Sequence, residues 1–508
     1  MSAGIATEHL AAQACEAMAE RLDAATLRRS PASIAAVTCR GEVVAVRTHG
    51  EPRRDGAPTT PGTVFRIASM SKSFLAATAL SLRDEGLLDL YAPIENYVPE
   101  AAAARFDGRS ARITIDMLLS NRSGLAEDNP WGDEHLGESR ESIGALVGEG
   151  LTLSAAPATE YQYSNVGQSL VGRAIEAVTG RPVEDVIRER MLDPLGLADT
   201  RASAGLYPAG ADLAHGFRTF DDGESFAPEP YVGTGALGCI GSLFSTVSDI
   251  AAWMEFLGSA FDADAGDGVL SAASRRELQT AHTLIAPALS QFTDRELDGA
   301  GYGYGLVVEH DRRFGRIVQH AGGLPGFSSH MRWHPATGIG VVVFGNSDQF
   351  GAGGIAGAVL HDVLGRIDAP AAVVRPWPQT VAAARRVDEL LRAGRTDAWD
   401  EMGPLARNVL RDVPGAVRTR RLLAALDETG EPVADAPSFE TRVISATDAS
   451  ALRWTVPCRT GVLVCDVRMM GLHTPVVQSI DVQVAGSTGR KPRDESPRVT
   501  DHHRVVLG

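Results

Sequence analysis

Lysine is almost missing from this chain: of its 48 basic residues only Lys72 and Lys491 are lysine, and the rest are arginine. A surface indifferent to which cation it carries can drift to arginine. Arginine stays charged inside proteins, however, whereas a desolvated lysine can give up its proton. A lysine kept within an apolar segment, as Lys72 is in FRIASMSKSFLAATAL, therefore points to a position where deprotonation is needed. Cysteine is scarce as well. The five present (Cys15, Cys39, Cys239, Cys458, Cys465) form no C-x-x-C pair and are odd in number, so neither a disulfide framework nor a zinc site is expected and the thiols read as reduced and mostly buried. No stretch approaches 18 consecutive apolar residues, which excludes a membrane-spanning helix. Positive charge is in deficit, 48 Lys+Arg against 64 Asp+Glu for a net charge of −16. Phosphate backbones and anionic lipid would be repelled, so nucleic-acid and membrane partners are not expected. The opening segment MSAGIATEHLAAQACEAMAERLDAA lacks a basic n-region, and Glu8, His9, Gln13 and Glu16 interrupt its apolar run. It reads as an amphipathic helix, and the expected location is cytoplasmic.

What is present is ordinary for a folded chain: 508 residues, 44% hydrophobic and 22% charged, enough for several domains of about 100–200 residues. Residues 34–48 carry two β-rich runs broken at Arg40-Gly41, a hairpin signal. The spacing from Ser69 to Asp84 predicts a helix that is apolar on nearly every face and stops at Gly86, hence a buried helix. Helical patterns fill 113–200, and FSTVSDIAAWMEFLG reads as a further helix entered from a Ser245 or Thr246 cap. Strand signals return at YGYGLVVEH, GRIVQHAG, SSHMRWHP and GIGVVVFGNS, an antiparallel meander. The prediction is an α+β domain over 1–366 whose antiparallel sheet is completed by both of its ends and flanked by helices, with an inserted helical layer. Proline-bearing 367–379 reads as a linker, 380–485 as a smaller accessory α+β domain, and polar 486–508 as a disordered tail.

Three motifs carry chemistry. Ser69 and Lys72, in Ser69-Met70-Ser71-Lys72, share a face at i and i+3 of the buried helix. The amine can then reach the hydroxyl, while the positive end of the helix dipole favours the serine as nucleophile. Ser71 and Ser73 read as structural. In Tyr163-Ser164-Asn165, a phenol beside a lysine ammonium can have its pKa lowered and act as a base, and the Asn165 amide can hold a substrate carbonyl or orient the lysine. Read alone, Tyr163 is a core aromatic and Asn165 a helix cap. In His320-Ala321-Gly322-Gly323, at a strand end, the small residues admit a substrate close to the backbone. The N–H groups of Gly323 and Ser69 could form an oxyanion hole, with His320 assisting proton transfer or binding an anionic group.

Together, over about residues 30–350, these motifs and their flanks (DMLLSNRSGL, YQYSNVGQSLVGRAIE, GFSSHMRWHPATGIGVVVFGN) resemble the serine β-lactamase and penicillin-binding-protein-like hydrolases, near class C β-lactamases, D-aminopeptidases and esterases. The resemblance implies a β-lactamase/transpeptidase-like fold and a metal-independent, cofactor-free serine hydrolase. In it Ser69, Lys72 and Tyr163 are catalytic, and Asn165, His320, Gly322 and Gly323 bind substrate. Esters and D-amino-acid amides or peptides, small or short acyl substrates, are the implied class. Having His320 where the lactamases carry lysine makes β-lactam hydrolysis a poor expectation. Acyl transfer that releases or cyclises peptides, and a non-catalytic ligand-binding sensor or scaffold of the same fold, are the alternatives. A second departure is Pro157-Ala158, where relatives usually have Pro-Gly. His330 and His334 read as structural, Asp128 and Trp131 as loop residues able to face the cleft, and Arg418, Arg420 and Arg421 as a solvated helix face. The C-terminal domain weakly resembles a nuclear-transport-factor-2-like cone, or alternatively a lipocalin-like barrel. It could carry a homodimer contact.

Overall fold

Arg40 and Gly41 both take left-handed backbone (φ 51° and 81°), as a tight two-residue hairpin requires, and join β1 (Ala32–Cys39) to β2 (Glu42–Gly50). The computed structural model describes residues 3–53, 55–262, 264–286, 296–486 and 503–507. Six further strands extend this hairpin: β3 (Thr283–Leu284), β4 (Leu297–Tyr302), β5 (Val307–Asp311), β6 (Gly315–Leu324), β7 (Phe327–His334) and β8 (Ile339–Gly345). Among the described residues they form an eight-stranded antiparallel sheet in the order β2-β1-β8-β7-β6-β5-β4-β3. β1 lies against β8 from Ser33 opposite Gly345 to Cys39 opposite Ile339, so the two ends of the unit close the sheet as the sequence predicted.

Both faces of that sheet are covered, which explains why IGVVVFG in β8 is apolar without alternation. On one side Val341 and Val343 pack with Leu10, Ala14 and Met18 of α1 (Ala3–Arg21) and with Val359 and Val363 of α5 (Ala352–Arg366). On the other, Val342 and Phe344 join the core of the helical layer. That layer includes α2 (Ser71–Asp84), α3 (Asn165–Thr179) and α4 (Val247–Gly258). Residues 71–82 of α2 are buried on every face, and the helix is followed by left-handed Gly86 (φ 74°). Thr246, not Ser245, caps α4, its Oγ1 accepting from the Asp249 N–H at 3.2 Å.

The chain divides into two compact units, Met1–Ala369 and Pro370–Gly508. In the second, α6 (Pro378–Arg392) and α7 (Gly415–Thr429) precede a four-stranded antiparallel sheet of β9 (Val443–Ser445), β10 (Ala451–Pro457), β11 (Val462–Met470) and β12 (Val476–Val484) in sequential order. Two features differ from the sequence reading. Ala372–Val374, inside the stretch read as linker, is a strand paired in parallel with His503–Val505 from the stretch read as tail. Their β-branched Val373, Val374 and Val505 favour extended backbone even in a polar, proline-bearing context. Of the expected tail, 487–502 and 508 lie outside the described residues. Arg420 and Arg421 are exposed, but Arg418 is half-buried and its guanidinium donates to the carbonyls of Val413, Ile480 and Val409.

Candidate active site

Ala68 has φ 49°, a conformation residues with a Cβ rarely adopt, and this kink takes the chain from Phe65–Arg66 through the single 3₁₀ turn Ala68–Met70 into α2. Ser69 sits on that turn, 6% exposed, at the N-terminal end of the buried helix. The neighbouring serines hold the turn. Ser71 Oγ donates to Ala68 O at 2.7 Å, and Ser73 Oγ donates to Met70 O at 2.8 Å while accepting from Trp253 Nε1 at 3.0 Å.

One helical step on, the Lys72 amine is fully buried, 3.0 Å from Ser69 Oγ and 3.1 Å from the carbonyl of Ile240. It also lies 5.0 Å from the centre of the Tyr163 ring. Burial lowers its pKa to about 7, overcoming the opposing pull of the Asp133 and Asp128 carboxylates. Near neutral pH a substantial share of Lys72 is therefore the free amine, able to accept the serine proton.

Tyr163 hydrogen-bonds Ser69, but its phenol is pushed far above the ordinary value rather than down. The sequence expectation of a lowered pKa is thus corrected. Desolvation dominates, and Tyr161 and the Asp133 and Asp128 carboxylates add to it, outweighing the hydrogen bond to Ser69. Tyr163 is a protonated hydroxyl next to the serine, not a phenolate base.

Ser164, rather than Asn165, caps α3, its Oγ accepting from the Gly167 N–H at 2.9 Å. Asn165 is fully buried; its Nδ2 donates to Asn129 Oδ1 at 3.2 Å, and its Oδ1 has no partner among the described residues. The loop that places Asn129 is fastened by Asp128, which accepts from Ser164 Oγ (2.9 Å) and from the backbone N–H of Asn165 (2.6 Å) and Val166 (3.0 Å). Asp133 follows Gly132, where a Cβ would come within 2.6 Å of the Asn165 side chain. Sequence reasoning placed Asp128 on a loop near the cleft and missed Asp133 altogether. The local text EDNPWGDEH has several carboxylates, and nothing in it says which one the fold turns inward.

β6 brings the third motif alongside the Ser69 turn. A Cβ on Gly322 would lie 2.2 Å from both the Ile67 carbonyl and Ser329 Oγ, so the close approach read from the sequence belongs to Gly322. At Gly323 a Cβ would meet nothing within 4 Å, and its backbone borders open space. His320 is buried and both its ring nitrogens are engaged, Nδ1 at 2.6 Å from the Ala321 carbonyl and Nε2 at 3.0 Å from Tyr302 Oη. The carbonyl fixes the proton on Nδ1, so Nε2 accepts from the tyrosine. Burial, reinforced by nearby Lys72, lowers the His320 pKa to about 3. An anion-binding imidazolium, one role expected of His320, is therefore replaced by a neutral ring. Among the described residues no group of three His, Cys, Asp or Glu could hold a metal. His334 is tied to Thr337 Oγ1 (2.9 Å) and the Phe314 carbonyl (2.8 Å), a structural role.

A family model described as Beta-lactamase matches residues 16–364. Unguisins hydrolase ungD of Aspergillus violaceofuscus is 28% identical over 332 residues, 60% of this chain and 56% of that protein. D-alanyl-D-alanine-carboxypeptidase/endopeptidase AmpH of Escherichia coli K12 is 26% identical over 318 residues, 61% of this chain and 78% of AmpH. The matched region thus spans little more than half the length of the fungal hydrolase. In fold the chain is similar to the octameric penicillin-binding protein homologue from Pyrococcus abyssi, with TM-score 0.56 and 19% identity over 95% of this chain and 100% of that one.

Proposed function

The chain belongs to the beta-lactamase family, and from that premise we propose that it is a serine hydrolase cleaving an ester or a D-amino-acid amide or peptide bond through an acyl-Ser69 intermediate. One observation carries the reading: a fully buried lysine amine, its pKa lowered by burial to about 7, 3.0 Å from a serine hydroxyl at the start of a buried helix. Ser69 Oγ attacks the substrate carbonyl as Lys72 Nζ takes its proton. The backbone N–H groups of Ser69 and Gly323 receive the developing oxyanion. Collapse breaks the bond to the leaving group, which leaves with a proton returned from Lys72 by way of the Tyr163 hydroxyl. Water then attacks the acyl-serine, giving up its proton to Lys72, and the carboxylic acid departs with Ser69 regenerated. Asn165 holds the substrate's polar backbone. The neutral, internally bonded His320 offers no positive charge on the strand edge, which supports uncharged esters and amides over β-lactams with their fixed carboxylate.

Intact mass after treatment with a fluorophosphonate, and separately with p-nitrophenyl acetate, tests this in the wild type, Ser69→Ala and Lys72→Arg. A single adduct is expected, absent from the alanine variant and slowed at least about a hundredfold in the arginine variant, which keeps the charge and cannot act as base. A folded wild-type protein that takes no adduct would instead be a ligand-binding scaffold of the same fold.

A further inference from the structure

Asn121, in the SNRSG turn after the short helix Ile115–Leu119, is buried and left-handed (φ 53°), a backbone state that Asn reaches more readily than most residues with a Cβ. Both of its carbonyl oxygens face the segment that carries Tyr163. Its backbone oxygen accepts from the N–H of Gln162 at 2.8 Å, and its side-chain Oδ1 accepts from the N–H of Ser164 at 3.2 Å. The residues on either side of Tyr163 are thus bound by one distant residue. Residues 161–163 lie in neither a helix nor a strand, and Ser164 is extended (φ −127°, ψ 116°). In extended backbone the N–H groups of residues i−1 and i+1 point to the same side, so holding both sets the direction in which side chain i leaves the chain. A single bond would leave a pivot. The clamp is itself anchored: Leu118 O and Leu119 O accept from Gln168 Nε2 of α3 (2.9 and 3.2 Å), and Ser120 O accepts from Thr283 Oγ1 of β3 (2.9 Å). Asn121 is therefore held between the helix that begins at Asn165 and the edge of the sheet.

We propose that Asn121 is the positioning residue for Tyr163, holding the phenol against Ser69 so that it can pass the Lys72 proton to the leaving group. In that step the Tyr163 O–H gives its proton to the departing oxygen as its own oxygen takes one from the Lys72 ammonium. This rests on the hydrolase reading and deepens it, by tying the tolerated leaving group to a residue that acts through Tyr163. A group that departs as a stable anion needs no proton. An alkoxide does, so loss of the Asn121 clamp falls on alkyl esters.

Comparison of kcat/KM for p-nitrophenyl acetate and ethyl acetate, on the full chain, tests this. Both esters give the same acyl-Ser69, so the quotient of the two values reports the departure of the leaving group. Asn121→Gly keeps the left-handed backbone and its carbonyl and removes Oδ1. It is expected to lower the ethyl ester at least about tenfold more than the p-nitrophenyl ester, a pattern that Tyr163→Phe shows more strongly. Ser120→Ala loosens the same turn by losing the bond from Ser120 Oγ to Asp116 O (2.7 Å), and is expected to keep the quotient within about twofold of wild type. Each quotient is taken on one protein sample, so a partly unfolded variant lowers both rates together. An unchanged quotient in Asn121→Gly, or an equal change in Ser120→Ala, would overturn the role of Asn121 and leave the hydrolase in place. No ethanol release by the wild type, or an unchanged quotient in Tyr163→Phe, would overturn the Tyr163 route and the clamp with it. Failure of Ser69 to label with the fluorophosphonate would overturn the hydrolase and both.

Discussion

Lys72 is useful because it occupies a place where a cation is costly, and much of that was readable from the sequence. One of two lysines in the chain stands in a helix apolar all round, three residues after a serine. Its neighbours were less legible, because a pKa is set by groups that distant segments deliver. The rise at Tyr163, the neutral state of His320 and the inward-facing Asp133 each depend on burial by elements that local text does not pair. The same burial gives a stability prediction. With the Lys72 pKa lowered from 10.5 to about 7, the unfolded chain binds more protons there than the folded one between those values, so this residue's contribution to stability improves as pH rises through that window. Lys72→Met, which removes the buried amine, is expected to be inactive yet more stable than wild type at pH 7 in a denaturant titration, with the gain shrinking by pH 10. At Gly322 the expectation is steric. Gly322→Ala must displace the Ile67 carbonyl or Ser329 Oγ, costing about 1–3 kcal/mol of stability and disturbing the Ser69 turn, seen as a lower melting temperature with slower labelling.

Elements explain how the site is held. The helices and the closing meander were legible because their periodicity is strong. Caps were legible to within a residue: Thr246 caps α4, and Ser164 rather than its neighbour Asn165 caps α3. The loop carrying Asp128 could be named but its anchoring could not, since a carboxylate accepting three hydrogen bonds from the start of a helix 36–38 residues away leaves no local pattern. Asp128→Ala is expected to cost about 1–2 kcal/mol in chemical denaturation and, by loosening the turn that holds Asn129, to lower activity as well. The departure at Pro157-Ala158 has a backbone meaning. Ala158 has φ 66°, the left-handed region, and its N–H donates to the Arg122 carbonyl at 2.7 Å, so the turn keeps its shape against the Cβ. Ala158→Gly is expected to raise stability by about 0.5–1 kcal/mol, measured as a shift in denaturation midpoint without a change in slope.

At the scale of the molecule, the chain forms two compact units, Met1–Ala369 and Pro370–Gly508, and the detail of the second was not legible in the sequence. Short strands such as Ala372–Val374 take their partner from more than a hundred residues away, and only the fold supplies that pairing. The second unit has its own core, centred on Trp454, whose Nε1 donates to Asp388 Oδ1 at 3.1 Å beside the buried Asp388–Arg442 ion pair. Trp454→Ala is expected to cost that unit about 3–5 kcal/mol, read as an early thermal transition, while Ser69 in the first unit still labels. All of the proposed chemistry belongs to the first unit, and it depends on one proton leaving Lys72. The most direct test is therefore the pH dependence of fluorophosphonate labelling of the intact protein. The account predicts a rate that rises tenfold per pH unit below about 7 and levels above it, with no limb from His320 near 3 separable in the working range and no such rise in Lys72→Arg. A rise centred near the ordinary lysine value of 10.5, or an identical profile in Lys72→Arg, would contradict the claim that a neutral, buried Lys72 activates Ser69.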